Sequence, residues 1–307
     1  MPTQKSDDKN LDSLWGSRDP SDVIKFYSHF SNRDELIAWM RNRPTGRQRI
    51  YEVEGDKEVI VVIITADYNN KFSVACREQI FNGLHMIFVE SGYGDVLFNA
   101  GRNSNFGMSK AIQYNPKWII SSSDDMFKID DIAVLVSELK KLDHNRIKCV
   151  FTYPPGYYHS KPGFVGRPNI LYRILMNLTG RKRRQIYKLF RKFSGVSYRP
   201  LQYDVFLNRL LYKRIAEAVF TIDFAILSGA FVKEKGGNIF DETYVNGEED
   251  SDLSITLTRN KEDYAFVKYR IGDFIGSTSG IGFDRYLRSV ATISYFSYKI
   301  EKGLLLL

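Results

Sequence analysis

The feature that most limits how this chain can fold lies between Glu58 and Lys141, where β-branched apolar runs alternate with amphipathic stretches. EVIVVIITADYNN holds the aliphatic run Val59–Ile64 and ends in polar residues, the pattern of a buried strand with a loop at its carboxyl end. Phe72 to Phe81 has a helical pattern, and HMIFVESGYGD is a second strand-to-loop unit. The Asn/Gly-rich stretch FNAGRNSNFG reads as a connection, MSKAIQYNP as a helix, and KWIISSSDDM as a third strand running into acids. Asp130 is the expected cap of IDDIAVLVSELKK, whose Ile132, Leu135, Val136 and Leu139 share one helical face.

This alternation predicts an α/β fold with a mostly parallel central sheet and helices on both faces. Ligands of such sheets bind beyond the carboxyl ends of the strands. Those ends carry Thr65-Ala66-Asp67, Glu90-Ser91-Gly92 and Asp124-Asp125, a gathering of polar groups that suits a nucleotide. Thr65, Asp67, Glu90 and Arg102 are the candidates for the nucleotide side, from their places at or near strand ends. Each can also be read as a loop-stabilising residue, and Arg102 as the partner of an acid.

The flanks carry less chemistry. Residues 1 to about 20 read as a loose polar tail, and SDVIKFYSHFSNRDELIAWMRNRP as a helical extension, with Ser21 and Asp34 as caps and Pro44 as the stop. The expected division is a tail and extension over 1–57, a catalytic domain over 58–280, and a C-terminal helix over 281–307. The start MPTQKSDDKN lacks the apolar core of a secretory signal, and Val59–Ile64 is far too short to cross a bilayer. A cytoplasmic chain, soluble or peripheral at a membrane, is therefore expected. Two cysteines, Cys76 and Cys149, fit a reducing compartment unless they pair, and four scattered histidines have no zinc-site spacing.

Charge is unevenly placed. The net charge is +8, yet Lys161 to Arg214 holds fourteen Lys/Arg against one acid, leaving 30 basic and 35 acidic residues elsewhere. A basic insert over about 155–215, expected to be helical, implies a local anionic partner. GRKRRQIYKLFRKF interleaves its cations with Ile186, Tyr187, Leu189, Phe190 and Phe193, and upstream Ile170, Leu171, Ile174, Leu175 and Leu178 recur at helical spacing. One reading is a helical pair with its apolar face on the core and a solvated basic face. The other is an interfacial element that meets anionic lipid headgroups and a lipid-linked acceptor. Nucleic acid ranks last, because no recognisable nucleic-acid module surrounds the segment.

Two acidic segments carry the sharpest signals. SSSDDMF sets Asp124 and Asp125 side by side, where they repel unless a cation lies near them. Hard oxygen ligands suit Mg²⁺ or Mn²⁺, which would also hold a pyrophosphate; the simpler reading is that these acids cap the next helix. NIFDETYVNGEEDSDLSITL places Asp241, Glu242, Glu248, Glu249, Asp250 and Asp252 within twelve residues, ahead of an apolar helix start. By itself that stretch reads as a solvated acidic loop with capping acids.

The order of these blocks resembles the inverting family-2-type glycosyltransferases of the GT-A fold, the type that includes rhamnosyl- and galactosyltransferases. The resemblance spans roughly 58–280. Glu90-Ser91-Gly92 matches the acid-plus-Gly/Ser end of the second strand, and Asn99-Ala-Gly101 and Asn105-Phe-Gly107 match the paired N-x-G stretch. Ser123-Asp124-Asp125 matches the Asp-x-Asp type metal motif, with Ser in place of the first acid. Gly229-Ala230-Phe231, Phe240-Asp241-Glu242 and Glu249-Asp250-Ser251-Asp252-Leu253 match the late G-A-F, F-D-E and E-D-x-D-L blocks. Where the family often has a His before a late G-x-S, Asp273 precedes Gly276-Ser277, and is either a metal ligand or structural.

The resemblance implies a nucleotide-diphospho-sugar donor and a hydroxyl acceptor such as a glycan, glycolipid or glycoprotein. It assigns Asp125, helped by Asp124, to a divalent metal on the diphosphate. It assigns Asp250, or else Glu249, to general-base removal of the acceptor proton. The competing readings are a nucleotidyltransferase and a non-catalytic basic binding protein on a degenerate version of the fold. A nucleotidyltransferase would want a Gly-rich, Lys/Arg-bearing phosphate loop after the first strand, and TADYNNKF is not one.

Overall fold

The computed structural model describes residues 20–91, 98–153, 160–178, 181–194, 196–200, 205–221, 223–274 and 289–305. The expected tail, Gly92, Gly276-Ser277 and the first part of the expected C-terminal helix lie outside the described residues.

Helices α1 (Pro20–Ser28) and α2 (Arg33–Asn42) precede strand β1 (Arg49–Val53). Asn32 caps α2 by accepting from the Glu35 N–H, and Asp34 lies in the first turn rather than at the cap. Next come β2 (Asp56–Thr65), α3 (Lys71–Ala75) and β3 (Leu84–Glu90). They are followed by α4 (Ala100–Ala111), β4 (Trp118–Ser123), β5 (Met126–Lys128) and α5 (Ile132–Leu139). Beyond these lie β6 (Cys149–Tyr153), β7 (Ser160–Pro168), α6 (Ile170–Leu178), α7 (Arg181–Phe193) and β8 (Ser197–Pro200). Then follow α8 (Val205–Leu211), β9 (Tyr212–Thr221), β10 (Phe224–Ser228), α9 (Gly229–Glu234) and α10 (Glu249–Leu257). The last elements are β11 (Tyr264–Lys268), β12 (Ile271–Asp273) and α11 (Val290–Glu301).

Seven strands form the central sheet, in the order β1-β3-β2-β4-β10-β6-β11. It is mixed, not mostly parallel: β3, β2 and β4 run together, as do β6 and β11, but β1 opposes β3 and β10 opposes both its neighbours. A buried run such as FAILS has the same composition whichever way it points, so direction is decided by the connections. The alternating residues of β2 feed two cores. Val59, Val61 and Ile63 pack with Met86, Phe88, Trp118 and Ile120 on one face, and Ile60 and Val62 pack with Ile87, Val89 and Met108 on the other. Each fully buried aliphatic side chain contributes about 1.5–3 kcal/mol. Cys76 and Cys149 are free, buried and on opposite faces, so they do not pair.

Two local expectations change. Helix α4 starts at Ala100, inside the stretch read as a connection, because Asn99 caps it by accepting from the Arg102 N–H at 3.0 Å. Of its two glycines, Gly107 is there for close approach: a Cβ on it would lie 2.3 Å from Val62 Cγ1 and 2.9 Å from Val89 Cγ2. The cap of α5 is Asp131, which accepts from the Ala133 N–H, while Asp130 pairs with Arg270 at 2.7 Å.

The basic insert is not purely helical. It contains a three-stranded antiparallel sheet, β8-β7-β9, whose central strand SKPGFVGRP carries the Pro and Gly residues that usually argue against a strand. Helix α7 buries Tyr187, Phe190 and Phe193, and Phe193 joins a third core with α1, α2 and α11.

Candidate active site at the carboxyl edge of the sheet

Thr65, Glu90 and Ser123 end three parallel neighbours, so their loops share one edge. Because β10 runs the opposite way, its entry residue Asp223 reaches the same edge, where its carbonyl accepts from the Ser123 N–H at 3.2 Å. Asp223 adopts a left-handed φ of 55°, one of the few non-glycine residues that do.

Asp124 is held on one side only. Its Oδ2 accepts from Thr65 Oγ1 at 2.6 Å, Asn70 Nδ2 at 2.8 Å and Ser73 Oγ at 3.3 Å. Asn70 is also the cap of α3, accepting from the N–H groups of Phe72 and Ser73 at 2.8 Å. The cap thereby fixes the carboxylate. Helix α3 runs into a π-helical turn, Cys76–Ile80, whose Cys76 thiol donates to the Asp124 carbonyl at 3.3 Å. Burial raises the Asp124 pKa; the Asn70 and Thr65 donors offset part of that, and the Asp125 charge adds to it.

The other candidates divide between this edge and structural work. Asp67 shapes the loop, accepting from the Asn69 N–H at 2.8 Å. Glu90 is buried and accepts from the Tyr68 N–H at 2.8 Å. The Tyr68 ring stacks on Tyr51 at 4.3 Å with Arg77 4.1 Å from its centroid. Arg102 is half-buried in the first turn of α4. Asp273 is brought beside the metal-motif acids by pairing of β12 with β5, and the Phe274 N–H donates to the Asp125 carbonyl at 2.9 Å.

Glu249 and Asp250 open α10. They keep some accessible surface yet lie deep among protein atoms. The Gly247 N–H donates to Glu249 Oε2 at 2.6 Å and the Ser251 N–H to Asp250 Oδ1 at 2.7 Å. Burial, with the charges of Asp223 and Glu248, lifts Glu249 to about 7 despite these bonds. Burial and then the Glu249, Asp223 and Glu248 charges push Asp250 well above its ordinary range. The Thr221 N–H donates to Ser254 Oγ of α10 at 2.9 Å, so α10 packs against the turn that carries Asp223, and the Asp223 carbonyl in turn meets the Ser123 N–H.

Both groups have folded-state pKa values above their unfolded ones, so the folded form holds more protons between about pH 4.5 and 7. Their stabilising contribution is full below that window and is lost as pH rises through it. The unliganded protein should lose a few degrees of unfolding temperature across this interval, and Glu249→Gln/Asp250→Asn should flatten that slope in a calorimetric pH series.

Asp241, Glu242 and Asp252 of the late block are tied into the fold. Lys299 of α11 binds Asp241 at 2.9 Å and also pairs with Asp252, and Tyr295 donates to Asp241 at 2.9 Å. Asn105 donates to the Phe240 carbonyl at 2.8 Å and to Glu242 Oε1 at 3.1 Å, and Asn99 to the Glu242 carbonyl at 2.8 Å. The paired Asn-x-Gly stretch thus braces the Phe-Asp-Glu loop. From the other side, buried Arg43 donates to the carbonyls of Glu242, Thr243 and Tyr244 at 2.6–2.9 Å. Burial lowers Arg43 to about 10 against the opposing charge of Glu249.

Sequence reading missed Asn70, Ser73, Asp223, Arg43 and Lys299. Only Asn70 had a local signal, an Asn directly before a helical stretch. A cavity of about 50 Å³ lined by Glu58, Lys117, Trp118 and His144 sits at the opposite edge of the sheet, too small for a nucleotide. No family model, curated protein or solved structure matches the chain.

Proposed function

We propose that the chain is an inverting glycosyltransferase of GT-A type that uses a nucleotide-diphospho-sugar and a hydroxyl acceptor. The observation that carries this reading is the meeting, through Asp223, of two carboxylate sets with different environments at one sheet edge. One set is Asp124, oriented by hydroxyl and amide donors, with Asp125 beside it. The other, Glu249 and Asp250, has raised pKa values. A carboxylate whose neighbours raise its proton affinity is suited to taking a hydroxyl proton.

A divalent cation fits the first set. Among the described residues no three acids, histidines or cysteines are grouped so that they could hold a metal ion, and Asp273 does not join the Asp124–Asp125 pair in such a group. Mg²⁺ and Mn²⁺ sites completed by substrate phosphates need only one or two carboxylates. The oxygen of Asp124 not engaged by Thr65, Asn70 and Ser73, together with Asp125, would hold it, and substrate phosphates would complete the set. When bound, the ion would neutralise charge on the diphosphate leaving group.

The chain's own groups perform the rest. Thr65, Asn70 and Ser73 fix Asp124. Glu90, with the Tyr51–Tyr68 stack beside it, offers a carboxylate and flat rings to a base. Asp250, with its proton affinity raised by its neighbours, takes the acceptor proton while Glu249 shares the charge. Attack from the face opposite the diphosphate inverts the anomeric centre.

The test is thermal unfolding with UDP-, GDP- and dTDP-sugars, with and without Mn²⁺. One nucleotide class should stabilise the protein only when Mn²⁺ is present. Asp250→Asn should keep that shift while transfer to acceptor falls by about 10²-fold or more. Equal loss of donor affinity would make Asp250 a binding residue instead.

A further inference from the structure

In α6 the apolar residues recur every three or four positions, and the stripe they form is the one left in solvent. Ile170 is 65 % exposed, Ile174 51 % and Leu178 80 %, with Leu171 and Leu175 exposed beside them. The inward contact of this helix is made by Tyr172, whose ring lies 5.9 Å from Tyr187 and 5.1 Å from Tyr212. Helix α8 is similar: Phe206 is 79 % exposed, and Leu207 and Leu210 are exposed too. Asn169 joins the two helices, donating from its side chain to the Leu210 carbonyl at 2.6 Å and from its N–H to the Leu211 carbonyl at 3.0 Å. The result is a patch on adjacent helices, beyond the singly scattered apolar residues of an ordinary surface. Exposed cations lie among and beside it: Arg173 on α6, Arg209 on α8, and Lys188 and Arg191 on the outer face of α7.

We propose that α6 and α8 form a docking surface for an anionic lipid bilayer. Exposed aliphatic side chains enter the headgroup–acyl boundary, and the cations around them pair with headgroup phosphates. A second copy of the chain fits less well, because face-to-face pairing would set these cations against like charges. Nucleic acid also fits less well: bases stack on flat rings, and Phe206 is the one large exposed ring among the described residues of the two helices. The outer face of α7 supplies charge, whereas the apolar contact comes from α6 and α8, since the rings of α7 are spent on the core. This surface stands independently of the chemistry proposed for the sheet edge.

The experiment is sedimentation of the whole chain with vesicles of equal parts phosphatidylcholine and phosphatidylglycerol. Binding should be present at low salt, weaken as salt screens the cations, and be about tenfold or more weaker on phosphatidylcholine alone. Ile174→Ser/Leu178→Ser/Phe206→Ser should weaken binding to the mixed vesicles by about tenfold or more. Its unfolding temperature should not change, because these side chains are already in water. Lys188→Gln/Arg191→Gln should lower binding to the mixed vesicles and leave binding to phosphatidylcholine unchanged. A wild-type chain that ignores the mixed vesicles at low salt overturns the proposal. So does vesicle binding indifferent to the triple serine variant, which would reduce the contact to charge alone. A dimer dissolved by that variant, or capture of single-stranded RNA in preference to vesicles, would reassign the patch.

Discussion

Asp125→Ala should abolish sugar transfer and remove the Mn²⁺-dependent part of donor stabilisation. In the proposed reading the diphosphate then loses the carboxylate that brings its counter-cation, and the leaving group departs uncompensated. The same change should not harm the fold. Asp125 is a source of like charge on Asp124, which burial already raises, so removing it relieves a repulsion. The unliganded Asp125→Asn protein should accordingly unfold at the same temperature as wild type or higher. Turnover measured as nucleotide release, beside unfolding with and without Mn²⁺, separates the two effects. Wild-type turnover in Asp125→Ala would show that the metal assignment is wrong. A loss of activity accompanied by a loss of stability would make Asp125 a structural residue.

Lys299→Met should cost about 3 kcal/mol of stability without touching the reacting groups. Lys299 is 13 % exposed in its side chain and bridges Asp252, at 10 %, to Asp241, at 26 %. The two acids respond differently to it. Burial pushes both upward, but at Asp241 the Lys299 bond and charge, with the Thr243 N–H and the Tyr295 hydroxyl, together more than offset it, whereas the more deeply buried Asp252 stays above its ordinary range. Removing the ammonium leaves two neighbouring carboxylates partly desolvated and unneutralised. Denaturant unfolding should show the loss as a lower midpoint with an unchanged slope. Adding Asp241→Asn and Asp252→Asn to Lys299→Met should recover part of it, because the uncompensated charge goes with them. A variant as stable as wild type would remove this bridge from the account of what holds the loop.

The strands that carry the site could be read because Val59–Ile64 and Trp118–Ile120 are apolar runs with polar ends, a signal local to each segment. The carboxylates Asp124, Asp125, Glu249 and Asp250 could be read as candidates for the same reason, since each lies at a visible boundary. What escaped was non-local. The direction of β10 depends on its connections, and the partners of Arg43 and Lys299 lie far along the chain. The start of α4 escaped because asparagine and glycine usually break helices; here Gly107 is needed for contact with Val62 and Val89, and Asn99 and Asn105 reach across to another loop. In β7 the Pro and Gly residues of SKPGFVGRP carry no strand signal of their own, so nothing local marks a strand inside an insert read as helical. Asp130 and Asp131 differ only in which carboxylate meets Arg270, a tertiary contact no window of sequence contains.

The brace around the Phe-Asp-Glu loop bears on how the protein is made. Arg43 grips residues 242–244, Thr292 donates to the Gly247 carbonyl, and Lys299 holds Asp241 and Asp252, so α11 and the segment after α2 close on one short stretch from either side in sequence. On the ribosome the α2 side of that clamp waits for some two hundred residues, and the α11 side follows the loop it holds. The central strands pair earlier over shorter separations, so the sheet can form before the carboxylates of α10 are fixed in place. A nascent chain that does not yet carry α11 would have its sheet in place while Asp241 and Asp252, without Lys299, left the Phe-Asp-Glu loop open on that side.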